Sequence, residues 1–138
     1  MILSSTTTQA LRALVYLAEQ GRKADKAVQG RELARKVKIP PHYLSKILAT
    51  LTRAGVLRAS RGVNGGYRLA RPPHKIRLAD VVVPFEGWRA RPGCLLHPER
   101  PCRDEEGCSA HGAWGEVKAA YAHFLERTTV ADIIRGGA

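Results

Sequence analysis

No stretch of eighteen consecutive apolar residues exists, and the first twenty residues lack a basic, then apolar, then small pattern. These absences predict a chain with no membrane span and no secretory signal, placed in the cytoplasm. Enzyme signatures are missing too. No phosphate-binding glycine loop, Ser-His-Asp set or paired catalytic carboxylates occurs, so the sequence does not read as an enzyme. No internal repeat or low-complexity tract interrupts it. Acidic side chains are scarce, 12 Asp+Glu against 23 Lys+Arg, a formal net charge of +11 over 138 residues. Such an excess points to a polyanionic partner, with solubility or a charged membrane surface as the plainer explanations. At 44% hydrophobic residues the chain still buries a core, which argues against disorder.

The charge is unevenly placed. Residues 1–80 hold 16 basic and 4 acidic side chains, net +12, while residues 81–138 hold 7 and 8, net −1. All three cysteines lie in the second part. An odd count means disulfides within one chain leave a thiol over, and an intracellular chain keeps its thiols reduced.

Periodicity supplies the elements. Ser4 or Ser5 suits a helix N-cap, and Leu11, Leu14, Val15 and Ala18 recur at helical spacing before a stop near Gly21. A short helix is predicted over 30–37, with Leu33 and Val37 on one face. Pro40 and Pro41 are tolerated only where a third helix begins. That helix carries Leu44, Ile47, Leu48 and Leu51, with Gly55 as its stop. Residues 56–60 and 67–70 read as strands of a hairpin, with the positive φ angles of its turn expected at Asn64-Gly65. Residues 78–86 suit a short helix that Pro84 cuts or kinks, and 87–107 read as loop. A last helix over about 109–127 aligns Trp114, Val117, Tyr121, Phe124 and Leu125. The preceding loop is too polar to cover that stripe, so a partner helix is expected.

Two short helices joined by a tight turn, followed by a basic hairpin, describe a winged helix-turn-helix. The fold class is thus mostly α with a small β-hairpin wing. Residues 1–77 form the DNA-binding domain, and 78–138 form the cysteine loop and a long C-terminal dimerisation helix. With Leu44, Ile47, Leu48 and Leu51 facing inward, His42, Tyr43, Ser45 and Lys46 remain on the other face for bases or phosphates. In the wing, Arg58, Arg61 and Arg68 supply cations, and glycines such as Gly65 allow close approach to DNA. Lys36, Lys38 and Arg53 flank the site as phosphate contacts. The competing reading is a solvated basic face, or helix-turn-helix geometry used for protein contacts.

The cysteines run Cys94-x7-Cys102-x5-Cys108, and His111 follows three positions later. Thiolates and imidazole are ligands for soft metals and iron–sulfur clusters. Zinc is the weaker reading because no C-x2–4-C pair exists. A thiol redox sensor or inert cysteines stay open as well. His97 reads as a solvated loop histidine. His111 can swing from a first helical turn towards the cysteines, or simply begin a helix without metal.

Several segments resemble the Rrf-two family of winged-helix repressors. They are the opening Met1-Ile2-Leu3-Ser4-Ser5 with Ala10-Leu11-Arg12-Ala13-Leu14, then Ile39-Pro40, Tyr43-Leu44, Lys46-Ile47-Leu48, Arg61-Gly62, Gly65-Gly66-Tyr67 and Leu69. Leu78-Ala79-Asp80-Val81-Val82, Phe85-Glu86-Gly87, the cysteines, and Cys108-Ser109-Ala110-His111 with Trp114 complete the likeness. The family includes iron–sulfur cluster regulators and a cluster-free branch that controls cysteine metabolism. The resemblance implies a homodimer through crossing C-terminal helices, two winged domains on a near-palindromic double-stranded operator, and an iron–sulfur cluster, 2Fe–2S or 4Fe–4S. It makes Cys94, Cys102 and Cys108 the cluster thiolates, with His111 completing the set. The recognition-helix surface becomes His42, Tyr43, Ser45 and Lys46, and Arg61 becomes the wing-tip arginine of the minor groove. The implied signal is iron, cluster supply, oxidants or nitric oxide; the alternative is a cluster-free thiol-redox or constitutive repressor. Three departures bear on this. Seven residues separate the first two cysteines where IscR-like members have five. Thr8 stands where NsrR-like members use an acidic ligand. Pro40, Pro41 and His42 replace a serine-rich start of the recognition helix, so operator sequence does not transfer.

Overall fold

The computed structural model describes residues 3–101 and 109–134. Helix α1 spans Ser5–Lys23, with the Ser4 hydroxyl accepting from the Thr7 backbone N–H at its N-cap. Its buried face is Thr7, Ala10, Ala13, Leu14, Leu17 and Ala18, a stripe rotated slightly from the expected one, so that Leu11 and Val15 are only half-buried. The helix also passes Gly21 by two residues. Helix α2 (Gly30–Val37) and helix α3 (Pro41–Arg53) match their predicted limits, and Leu44, Ile47, Leu48 and Leu51 are all buried. Between these helices Lys38 takes a left-handed conformation, φ 58°, which costs a residue with a side chain about 1 kcal/mol. In exchange the chain reverses within three residues and buries Ile39.

Strands β1 (Leu57–Ser60) and β2 (Gly66–Leu69) pair antiparallel in the register Leu57–Leu69, Arg58–Arg68, Ala59–Tyr67 and Ser60–Gly66. Val28, ahead of α2, exchanges two backbone hydrogen bonds with Tyr67 and so covers the far edge of β2. The hairpin turn differs from expectation. Gly65 N–H bonds to the Gly62 carbonyl, placing Val63 and Asn64 at the turn centre, and the positive φ angles fall on Gly62 and Gly66 instead of Asn64-Gly65. Gly66 is required by contact as well as φ, since an added Cβ would lie 2.4 Å from the Val28 carbonyl oxygen.

Helix α4 (Leu78–Glu86) continues through Pro84 for two further residues, so the proline does not cut it. The helix stops at Gly87, φ 57°, and a 3-10 turn over Gly87–Ala90 occupies the start of the expected loop. Helix α5 (His111–Arg127) begins two residues later than predicted. Of its apolar stripe only Leu125 is buried, while Val117 is 56% and Phe124 47% exposed. Its C-terminal end is well anchored. Leu78 N–H donates to the Thr128 carbonyl, Val130 N–H donates to the Ile76 carbonyl, and Glu126 pairs with Arg77 and Arg91. Val130 then enters the main core beside α1, α2 and α3.

One buried carboxylate ties the start of α1 to the end of α4. Glu86, 7% exposed, accepts at a single oxygen from the Ser4 backbone N–H at 2.8 Å and the Thr7 hydroxyl at 2.6 Å. Burial alone pushes its carboxyl up, but these hydrogen bonds, helped by the nearby Arg89 charge, outweigh burial and hold it below its ordinary value. The unfolded chain returns it to about 4.3. Between the two values the unfolded state binds more protons, so Glu86 stabilises the fold above the unfolded value, and that contribution disappears as pH falls through the folded one. Thermal unfolding followed from pH 7 to pH 3 should show a shallower acid-side decline of Tm in Glu86→Gln than in the parent. Identical slopes would remove Glu86 from this role.

Candidate functional site

The α2–α3 turn sets the outward face of α3. Because Leu44, Ile47, Leu48 and Leu51 fill the core, His42, Tyr43, Ser45 and Lys46 are all exposed. The Ser45 hydroxyl donates to the His42 carbonyl at 2.8 Å, and the Tyr43 hydroxyl is hydrogen-bonded to the Thr6 hydroxyl of α1. Lys36, Lys38 and Arg53 are exposed around this helix. At the other end of α2, the Arg12 guanidinium of α1 donates to the Val37 carbonyl. Helix α1 thus holds both helices of the pair by their polar ends.

The hairpin register sorts its side chains. Leu57 is buried, and Tyr67 and Leu69 pack against the core, which leaves Arg58 and Arg68 directly opposite each other on the other face. Like charges at that spacing repel. Asp25, in the α1–α2 loop, offsets part of this by an ion pair with Arg68 at 3.1 Å. Arg61 is exposed at the start of the turn. Gly65 is buried in the loop itself, where a Cβ would lie 2.5 Å from the Ser60 carbonyl oxygen. Its lack of a side chain therefore serves hairpin closure.

The cysteine region is described in part. Cys94 and His111 lie among the described residues; Cys102 and Cys108 lie outside them. The Cys94 N–H donates to the Arg100 carbonyl, and the Gly93 N–H donates to the Pro98 carbonyl, closing a tight loop around His97. His97 sits exposed there, facing Glu99 at 3.9 Å. The Trp114 indole N–H donates to the Gly93 carbonyl at 2.8 Å, fastening α5 beside Cys94. Gly93, Pro101 and His111 line one cleft of about 600 Å³, together with Trp88, Arg91 and Lys118. The loop that carries Cys94 thus borders the same space as His111, with Gly93 and Pro101 and not Cys94 itself in the lining, and Cys102 directly follows Pro101 in sequence. A site with thiolate and imidazole donors suits iron or zinc. Among the described residues alone, no group of three or more His, Cys, Asp or Glu side chains is gathered around a metal position.

Residue typing by sequence missed Thr6, Arg12, Asp25 and Glu86. Thr6 and Arg12 are ordinary helix residues, and only the folded contacts reveal them. Glu86 did leave a signal, since a carboxylate ending the apolar run 81–85 must find partners if it is buried.

Among the described residues no helix is long and apolar enough to cross a membrane. Comparison with known proteins gives a consistent result. Residues 3–136 match the model of the Rrf2 family (the Rrf-two family above), described as iron-dependent transcriptional regulators. The transcriptional regulator NsrR of Shouchella clausii is 32% identical over 134 residues, covering 97% of this chain and 89% of that protein. Among solved structures, T. potens IscR superposes with a TM-score of 0.76 at 24% identity, covering 99% of this chain and 88% of that one. CymR, the global cysteine regulator of B. subtilis, also gives 0.76, at 23% identity and 96% and 95% coverage. These likenesses fit the winged helix described above, and the proteins are regulators, not enzymes. The chain belongs to the Rrf2 family of transcriptional regulators.

Proposed function

We propose that this regulator is a homodimeric repressor that binds a near-palindromic DNA operator and reads an iron–sulfur cluster held by Cys94, Cys102, Cys108 and His111. Residues 1–77 serve DNA, and residues 78–138 serve sensing and dimerisation. The observation that carries this reading is the pairing of two features. One is the exposed polar face of α3 with the basic hairpin. The other is a cleft lined by His111 and by neighbours of Cys94 in its loop. When bound, the cluster would supply a group whose state depends on iron, oxidants or nitric oxide. The chain's own residues do the rest. Lys46 and Arg58 attract phosphates, Arg61 enters a groove from the wing, and Trp114 keeps the Cys94 loop against α5.

DNA binding by the full chain should weaken about a thousandfold between 50 and 200 mM salt, as expected for a protein neutralising several phosphates. Arg61→Ala should cost roughly tenfold on the selected duplex. A flat salt response would assign the basic face to another task.

Anaerobic purification should yield a coloured protein containing iron and sulfide, and Cys94→Ala should lose both. Colourless, iron-free protein after anaerobic reconstitution would overturn the cluster. Joint loss of thiols and DNA affinity under mild peroxide would then favour a thiol sensor, the direction suggested by the CymR fold likeness, one structure of which is described as an oxidized form.

For the dimer, the half-exposed Val117 and Phe124 of α5 are the surface that a second copy covers. Sedimentation should give twice the 15.1 kDa chain mass, and Val117→Glu with Phe124→Glu should give the single mass. A parent that sediments as one chain would rule the dimer out.

A further inference from the structure

The first turn of α1 makes two polar grips on neighbouring residues. Thr7, wholly buried, donates its hydroxyl to Glu86 at the end of α4, and the Ser4 N–H donates to the same carboxylate oxygen. Thr6, one position earlier and a quarter-turn round the helix, bonds the Tyr43 hydroxyl on the exposed face of α3. The helical turn that Glu86 fixes is therefore the turn that fixes Tyr43. Beyond Glu86 the chain turns at Gly87 into the segment that carries Cys94.

Tyr121 of α5 packs against the apolar cluster that holds Leu78, Ala79 and Val82 of α4. Its hydroxyl is buried and has no hydrogen-bond partner among the described residues. Burial, and then the Glu86 charge, raise its pKa. Glu86 stands where α1, α4 and α5 meet.

We infer that Glu86 is a positioning residue for DNA reading: by clamping Ser4 and Thr7 it fixes the first turn of α1, and through Thr6 it holds the Tyr43 ring in one orientation on α3. This rests on the reading of α3 as the DNA-contacting helix. The physical reason is entropic. A tyrosine already held in place loses less side-chain freedom when DNA arrives than one released from its tether. Without Glu86, the Thr7 hydroxyl keeps only the Ser4 hydroxyl at 3.1 Å, the Ser4 N–H loses its acceptor, and the turn must shift to satisfy it.

The test is a double-mutant cycle on DNA affinity in the full-length chain, using a duplex selected by the parent from a random pool. Thr6→Val removes only the tether, and should weaken binding about fivefold with Tm unchanged. Glu86→Leu should weaken binding by a similar factor while lowering Tm. Glu86→Gln, whose amide oxygen accepts the same two bonds, should restore near-parental affinity. The Thr6→Val/Glu86→Leu double variant should bind no worse than Glu86→Leu alone, because both act along one route. If Glu86→Leu fails to fold, Thr7→Val replaces it in the cycle. Losses that multiply in the double variant, or parental affinity in Thr6→Val, would overturn the tether while leaving DNA binding intact. A parent that retains no duplex would overturn the DNA reading and the tether together.

Discussion

Both parts of this chain lean on α1. Its buried face alternates small and large residues, with Ala10, Ala13 and Ala18 admitting close neighbours and Leu14 and Leu17 filling the space between them. Helices α2, α3 and α4, strand β2 and the turn at Val130–Ile133 all pack against it. Close packing leaves little room for one neighbour to move without disturbing another. The polar contacts follow the same plan, since Arg12, Thr6 and Thr7 each reach a different helix from this one rod. The basic and near-neutral parts, so distinct in charge, therefore share a single core. Val81 and Val130 from the second part sit in the same apolar cluster as Leu33 and Leu48 from the first.

Charge and packing divide the labour between them. The core positions α3 by its leucines and isoleucine, and leaves its outward face to polar groups that gain nothing from burial. On the wing the division is sharper, because strand alternation puts Leu57 inward and Arg58 outward by the same geometry. The fold tolerates two facing arginines there, partly eased by Asp25. Repulsion of that kind is a cost in the isolated chain and an asset beside an anion.

Most of the architecture was legible in the residues. Helix α2 and helix α3 were readable because their apolar spacing and the Pro40-Pro41 pair mark the same boundaries. The hairpin was readable from its glycines, but the turn was not. Asn64-Gly65 has the composition of a two-residue turn, whereas the five-residue connection puts its positive φ angles on Gly62 and on Gly66, where Val28 crowds the backbone. Pro84 misled in the opposite sense, because losing one hydrogen bond in the last turn of a short, well-packed helix is affordable. On the outward face of α3, side-chain type and helical phase suffice to name the exposed residues. The links from Thr6 to Tyr43 and from Thr7 to Glu86 span long sequence separations and carry no local signature. Of the cysteine pattern seen in sequence, Cys94 and His111 are described, while Cys102 and Cys108 lie outside the described residues.

Helix α5 is held more firmly at its C-terminal end than at its start. Leu125, Glu126, Thr128 and Val130 hold its C-terminus to the body, while the opposite end, with His111 and the Trp114 bond to Gly93, meets the cysteine loop. A helix of 17 residues is about 26 Å long. In mechanical terms it is a cantilever whose root lies beside the α4 start and whose tip lies at the cleft. A rotation of about 5° at such a root sweeps the tip through roughly 2 Å, the scale on which packed helices shift between discrete arrangements. The root of that lever is hydrogen-bonded to Ile76 and Leu78, between the wing and α4.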